Sequence, residues 1–223
     1  MIRLLLVGLY IVSITSLLHP IDQAQQTHIS RLAYLEFPHP KAMLLFSGAP
    51  GMGKSTIAWA IEARLHAVRI SSDEGRELLR RQGMDPEARS ASGERLLDRY
   101  LASLIGQVER LSPNGLFVID GSCDRLFSVH ESAARDAGYQ LLLVRCIVPR
   151  NIVETRLKAR GSIVSAADLD GWLSDYETLS WGETPCFFFN GLAPFDEEVD
   201  RLTRWIEEWL AIFYKSSTAT IGE

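Results

Sequence analysis

The chain has 223 residues, of which 47% are hydrophobic and 23% are charged, and its formal net charge is −5. This length suits one α/β domain with a full core, and the composition is that of a globular protein. The negative charge argues against general nucleic-acid binding, which needs a surplus of Lys and Arg. Three widely spaced cysteines, Cys123, Cys146 and Cys186, are typical of buried thiols in a reducing compartment. We therefore expect a cytoplasmic protein.

The N-terminal segment differs from the rest of the chain. After Arg3, fifteen mostly apolar residues (4–18) form a run that is long for a signal-peptide core and short for a membrane-spanning helix. Three interpretations stay open: a weak membrane anchor through residues 1–18, an extra helix packed on the domain, or an upstream extension that is not part of the natural product. We place an N-terminal segment and linker at 1–39, a domain at 40–215 and a tail at 216–223.

Strand and helix patterns alternate from Ala42 onwards. Short apolar runs predict five strands, at residues 42–47, 67–72, 116–120, 139–148 and 186–190. Helical spacing and capping residues predict the helices, at 56–66, 73–82, 92–111, 126–137, 150–160, from Ser165 onwards and at 195–213. This alternation predicts a three-layer α/β sandwich, with a central parallel sheet of about five strands and helices on both faces. The aromatic run Phe187–Phe189 is interpreted as core residues of a central strand.

The segment GAPGMGKST matches the phosphate-binding pattern GxxxxGK[ST] at every required position, between a predicted strand and a predicted helix. Small residues let backbone N–H groups wrap around phosphate oxygens, and the helix N-terminus adds its positive dipole end. Lys54 is expected to reach the β and γ phosphates, and the Ser55 hydroxyl to ligate Mg²⁺. An accidental glycine-rich turn explains the complete motif poorly. The predicted ATP-binding residues are Gly48, Ala49, Pro50, Gly51, Met52, Gly53, Lys54, Ser55 and Thr56.

The run LFVID ends in Asp120, a carboxylate at the carboxyl end of a buried strand. In a parallel sheet this residue emerges at the same edge as the phosphate-binding loop. Asp120 is therefore a second predicted Mg²⁺ ligand, although an aspartate that caps the next turn is a common alternative.

The destination of the terminal phosphate is indicated by Asp73 and Arg76, which follow the second predicted strand. Asp73 could accept the proton of an attacking hydroxyl, and Arg76, one turn later, could hold the acceptor or the transferred phosphoryl group. Asp73 is also a favourable residue for the first turn of a helix, and this alternative stays open. The chain lacks the NKxD motif of guanine recognition and has little room for the helical lid domain of a ring-forming motor.

Arg156 and Arg160 lie four residues apart on one predicted helix face. Positive charge brought over the γ-phosphate by a closing lid favours phosphoryl transfer, with Gly161 as a hinge. The alternative is a solvated helix face, for which Glu154 and Lys158 look like a surface pair. We interpret the two arginines as lid residues.

Together, GAPGMGKST, RISSDEGR, LFVIDGSCDR and VPRNIVETRLKAR resemble the small P-loop kinases of the AAA-domain type, which are related to polynucleotide 5′-kinase, zeta toxins and chloramphenicol phosphotransferase. The resemblance covers about 42–213. It implies a P-loop NTPase sandwich with a short helical lid, and phosphorylation of a hydroxyl with ATP and Mg²⁺.

The resemblance also implies roles for single residues. Asp73 is similar to the family's general base, Arg76 to its phosphate-binding arginine, and Arg156 and Arg160 to its lid arginines. Asn190 looks like the start of a loop near the adenine. Many relatives have a Thr-Asn pair after the third-strand aspartate, where this chain has 121–123, GSC. This departure leaves the acceptor unspecified.

The leading hypothesis is an ATP-dependent kinase acting on a hydroxyl of a small molecule or of a nucleic-acid end. The alternative is an ATP-binding regulator or slow ATPase without an acceptor. A nucleobase-monophosphate kinase is disfavoured, because no pattern for an elaborate monophosphate pocket is present. Trp181, in the loop-like segment LSWGETP, is an open candidate for the lining of an acceptor pocket.

Overall fold

The computed structural model describes residues 41–81, 83, 115–162 and 164–219. All of them belong to the compact unit Glu36–Glu223. The proposed segment at 1–39, the loop at 84–92 and the helix at 92–111 lie outside the described residues. None of the helices that are described has both the length and the apolar composition needed to cross a bilayer.

The centre of the fold is a five-stranded parallel sheet in the order β2-β3-β1-β4-β5. Its strands are β1 Ala42–Ser47, β2 Val68–Ser71, β3 Leu116–Asp120, β4 Gln140–Ile147 and β5 Cys186–Asn190. All six residues of β1 are buried, since helices cover both faces of the sheet. This architecture confirms the predicted fold class. Because β1 is the middle strand, the phosphate-binding loop that follows it lies at the centre of the carboxyl edge.

The position of β5 corrects one prediction. It is an edge strand rather than a central one, because only β4 pairs with it. Phe187 and Phe189 are buried as expected, but Phe188 is 51% exposed and meets Trp181 edge-on, with ring centroids 6.4 Å apart.

Six helices are described: α1 Lys54–Leu65, α2 Ser72–Arg81, α3 Phe127–Asp136, α4 Arg150–Ala159, α5 Ala166–Thr178 and α6 Phe195–Ala219. The capping box predicted at the start of α5 is present, since the Ser165 hydroxyl accepts from the Asp168 backbone N–H and the Asp168 carboxylate accepts from the Ser165 N–H. Helix α6 runs six residues beyond its predicted end at Phe213, because no Gly or Pro interrupts the chain before Gly222.

The two faces of the sheet pack against different helices. On one face, Leu44 and Phe46 join a core with Ile57 and Ile61 of α1 and Leu202 of α6. On the other face, α3 contributes buried Phe127 and Ala134. Phe117 of β3 and Tyr139 complete this second layer, with ring centroids 5.3 Å apart. The helices cover both faces of the sheet, and the loops at its carboxyl edge are free to form a site.

Candidate active site

The phosphate-binding loop adopts a backbone that requires glycine at three of its positions, and two of them also set its contacts with the helices. Gly51 has φ 87°, and a Cβ added there would lie 3.2 Å from Cγ of Leu157 in α4. Gly53 has φ 96° and forms the N-cap of α1, so the helix begins at Lys54, two residues earlier than predicted. The loop thus presents backbone amides at the N-terminus of a helix, the arrangement that binds phosphate oxygens.

Lys54 lies across this loop. Its Nζ donates to the carbonyl oxygens of Gly48, at 2.7 Å, and Ala49, at 3.0 Å. Burial lowers the pKa of Lys54, and the negative charges of Asp124, Asp120 and Asp73 oppose this shift. All three carboxylates are therefore within electrostatic range of the ammonium group.

The two predicted Mg²⁺ ligands differ in their surroundings. Ser55 is exposed at the first turn of α1. Asp120 is only 5% exposed, and its Oδ2 accepts from Nη1 of Arg69 at 2.8 Å. Arg69 also contacts Glu62 at 3.2 Å and Glu74 at 2.6 Å, so one guanidinium gathers three carboxylates. No described residue bonds Oδ1 of Asp120, which leaves this oxygen for another ligand.

Asp124 is a residue that the sequence analysis missed. Its Oδ2 accepts from the Gly48 N–H at 3.0 Å and from the Ser122 hydroxyl at 2.8 Å. The residue is 8% exposed, and its buried Oδ1 has no hydrogen-bond partner among the described residues. The available signal was a second carboxylate in the turn after LFVID, at the same edge of the sheet.

Asp73 and Arg76 lie together in the first turn of α2. Nη1 of Arg76 donates to Oδ1 of Asp73 at 2.8 Å, while the buried Nε of Arg76 has no partner within the part of the chain that the structure describes. The Asp73 side chain is 88% exposed. The arrangement thus offers an accessible carboxylate whose charge is within range of Lys54.

The start of α2 packs closely on the segment that follows β3. A Cβ added to Gly121 would lie 2.4 Å from Oγ and 3.0 Å from Cβ of Ser72. Gly121 stands in the segment where the chain departs from the family pattern. Its missing side chain makes room for Ser72, the residue immediately before Asp73.

The two predicted lid arginines have separate environments. Arg156 is partly buried and donates from Nη2 to the Gly191 carbonyl at 3.1 Å and from Nη1 to the Gly51 carbonyl at 3.4 Å. Arg160 is the exposed C-cap of α4, and no described residue pairs with its guanidinium. The expected surface pair of Glu154 with Lys158 is replaced by one in which Arg150 Nε donates to Glu154 at 2.7 Å.

Asn190 lies at the end of β5, on the loop that Arg156 contacts through Gly191. Its side-chain Oδ1 accepts from the Leu192 N–H at 3.1 Å, and its own N–H donates to Glu198 at 3.1 Å. The Asn190 side chain therefore stabilises the turn into α6.

Three comparisons relate this geometry to known proteins. The chain folds like a sugar kinase from Janibacter sp. HTCC2649, with a TM-score of 0.58, 15% identity, and coverage of 75% of this chain and 95% of that one. A gluconokinase from Sinorhizobium meliloti 1021 has a TM-score of 0.58 and 16% identity, and the match covers 80% of this chain and 98% of that one. The APS kinase of Mycobacterium tuberculosis, solved with AMPPNP and APS, has a TM-score of 0.55 and 18% identity, and the match covers 76% of this chain and 99% of that one. These likenesses establish the shared fold.

No curated protein sequence matches the chain. The family model described as "AAA domain" matches residues 43–179, which is more than half of the chain and includes the phosphate-binding loop, Asp73, Asp120 and both predicted lid arginines. The chain therefore belongs to the AAA-domain family, as its motifs predicted.

Proposed function

We propose that the chain is an ATP-dependent phosphotransferase that moves the γ-phosphoryl group of ATP to a hydroxyl. The observation that carries the proposal is the Asp73–Arg76 pair, which lies beside a complete phosphate-binding loop and within electrostatic range of Lys54. The solved kinases with the same fold support this reading.

In the proposed reaction the acceptor oxygen forms a bond to the γ-phosphorus as the bond between this phosphorus and the β–γ bridging oxygen breaks. Asp73 accepts the proton of the hydroxyl, and ADP leaves with the bridging oxygen. Arg76 holds the acceptor or the transferred phosphoryl group, and Lys54 stabilises charge on the β and γ phosphates. Arg160, which has no described partner, is the arginine we assign to the γ-phosphate.

The residues present fit a magnesium ion bound together with the triphosphate. Among the described residues no group of three or more His, Cys, Asp or Glu side chains could hold a metal. Mg²⁺ in nucleotide sites needs only one or two protein ligands beside the phosphates. The Ser55 hydroxyl and Oδ1 of Asp120 would supply them, and the ion would neutralise charge on the phosphates.

We assign the nucleotide base to the side of the phosphate-binding loop that faces Arg156, away from the Asp73–Arg76 pair. Arg156 bonds both the phosphate-binding loop and the loop after Asn190. We therefore place Arg156 in the wall of the nucleotide site, rather than on a moving lid, with the backbone at 190–191 beside it.

The proposal is tested by transfer of label from γ-³²P-ATP to a small-metabolite extract. Lys54→Ala is expected to lower transfer by at least about 100-fold, because the phosphates lose their cation. Asp73→Asn is expected to lower it by about 100-fold or more while ATP affinity stays unchanged. Glu77→Gln, an exposed change on the same helix α2, is the matched control and keeps full activity.

Two results would contradict the proposal. If Asp73→Asn transfers at the wild-type rate, Asp73 is not the base. If ADP forms while no acceptor in the extract becomes labelled, the chain is a slow ATPase or a regulator instead.

A further inference from the structure

A cavity of about 430 Å³ lies between the start of α3 and the end of α5, and some of the residues in the segments 124–131 and 175–182 line it, but Glu177 does not. This volume is in the range of sites for small molecules. Asp124 forms its inner end, and the same side chain accepts from the Gly48 N–H of the phosphate-binding loop. The cavity therefore borders a side chain that contacts the phosphate-binding loop directly.

The wall of this cavity is negatively charged. It contains three carboxylates, Asp124, Glu131 and Asp175, and one guanidinium, that of Arg125. Arg125 is bound to Asp175 at 2.5 Å, and its guanidinium also lies over the ring of Trp172. Two carboxylates are thus left without a cation in the wall itself.

The nearest other cations among the described residues lie outside the wall of the cavity. Arg135 approaches Glu131 at 3.5 Å but is well exposed, so the pair is screened by water. Arg145 lies under the aromatic rings of Tyr176 and Trp181, at 4.2 Å and 4.5 Å from their centroids, and donates to the Tyr176 carbonyl. Lys54 is within range of Asp124 but bonds the carbonyls of Gly48 and Ala49.

Asp124 gives the independent sign that a ligand is recognised here. It is more than nine-tenths buried, and no residue in the described part of the chain bonds its Oδ1. A buried carboxylate oxygen without a partner is costly, and a donor on a bound molecule would remove that cost. A positively charged donor would do so best.

We propose that this cavity binds the phosphoryl acceptor and that the acceptor is a cationic hydroxyl compound, an amino alcohol or amino sugar. This inference rests on the proposed function and narrows it. The acceptor's ammonium group donates to Asp124 and faces Glu131, so the hydroxyl on the neighbouring carbon lies at the phosphate-binding loop. Trp181 supplies an aromatic surface for the carbon skeleton. Phosphorylated and carboxylated acceptors are repelled by the same wall.

The test uses the full chain and a small-metabolite extract divided by ion exchange into cationic, neutral and anionic pools. Each pool is incubated with γ-³²P-ATP and Mg²⁺. The inference predicts that the cationic pool becomes labelled at least about tenfold more than either other pool. Label mainly in the neutral or anionic pool would overturn it and leave the kinase proposal standing. Label in no pool would defeat the kinase proposal itself.

A second measurement tests the residues with matched probes, glucosamine and glucose, by calorimetry in the presence of a non-hydrolysable ATP analogue. Glucosamine is expected to bind at least about tenfold more tightly than glucose, and Asp124→Asn to remove that difference. Glu177→Gln, on α5 but outside the cavity wall, is the control and keeps it. Equal affinities in the wild type, no binding of either probe, or an equal loss for both in Asp124→Asn would refute the assignment.

Discussion

The contact of Arg69 with Asp120 gives the sharpest prediction about stability. Both side chains are nearly buried, at 11% and 5% exposure, and the guanidinium donates to the carboxylate at 2.8 Å. Arg69→Met keeps most of the side-chain length but leaves a buried carboxylate without its partner. Breaking a buried pair from one side costs about 3–5 kcal/mol. The contacts of Arg69 with Glu62 and Glu74 are more exposed and add at most about 1 kcal/mol each.

The assay is urea unfolding of the wild type, Arg69→Met, Asp120→Asn and the double variant. We expect Arg69→Met to lose about 3–5 kcal/mol of unfolding free energy. The double variant should lose less than the sum of the two single ones, with a coupling energy of about 1–3 kcal/mol. Arg80→Met is the matched control, because Arg80 is an exposed arginine whose contact with Glu77 is 3.5 Å long. It should lose less than about 0.5 kcal/mol.

A loss for Arg69→Met no larger than that for Arg80→Met would refute this reasoning. So would strict additivity in the double variant, because it would mean that the two side chains do not interact in solution.

Two further predictions concern the site and the pH dependence of folding. Gly121→Ala should displace Ser72, whose Oγ would be 2.4 Å from the new Cβ, and lower phosphoryl transfer at least about tenfold by moving Asp73. Adding Ser72→Ala should restore part of the rate, and a fully active Gly121→Ala would contradict the prediction. Burial lowers the pKa of His130 from 6.5 to about 4, so the unfolded chain binds the proton more readily. The contribution of neutral His130 to stability is full above pH 6.5 and is lost as the pH falls towards 4, by about 3 kcal/mol at most. His130→Gln should lose less stability than the wild type over this window in denaturant titrations, and parallel curves would count against the assignment.

Much of the fold could be predicted because local signals in the sequence mark where its helices and strands begin and end. The strands β1 and β3 have the predicted ends, since each is a short apolar run closed by a glycine-containing turn. The phosphate-binding loop could be located for the same reason, because its function depends on the local backbone. Helix ends without a Gly or Pro, such as that of α6, could not be placed as well.

The partners of the charged residues could not be predicted, because they are distant in sequence. Asp120 meets Arg69 across 51 residues, and Asp124 meets Gly48 across 76. The helical spacing of Arg156 and Arg160 suggested one shared role. However, α4 ends at Ala159, so Arg160 leaves the helix terminus towards solvent while Arg156 faces two backbone carbonyls.

The attachment of α4 to the phosphate-binding loop has a mechanical consequence. Val153 and Leu157 pack on Gly51, and Arg156 ties the same glycine to Gly191. Swinging α4 outward would therefore break two hydrogen bonds and uncover apolar side chains at the nucleotide site itself. Bending the chain at Gly161 would cost less free energy. This glycine follows the end of the helix, has a φ of 63° and has open surroundings. If the proposed acceptor site opens and closes, we expect the chain to bend at this glycine while the contacts of α4 with the phosphate-binding loop stay in place.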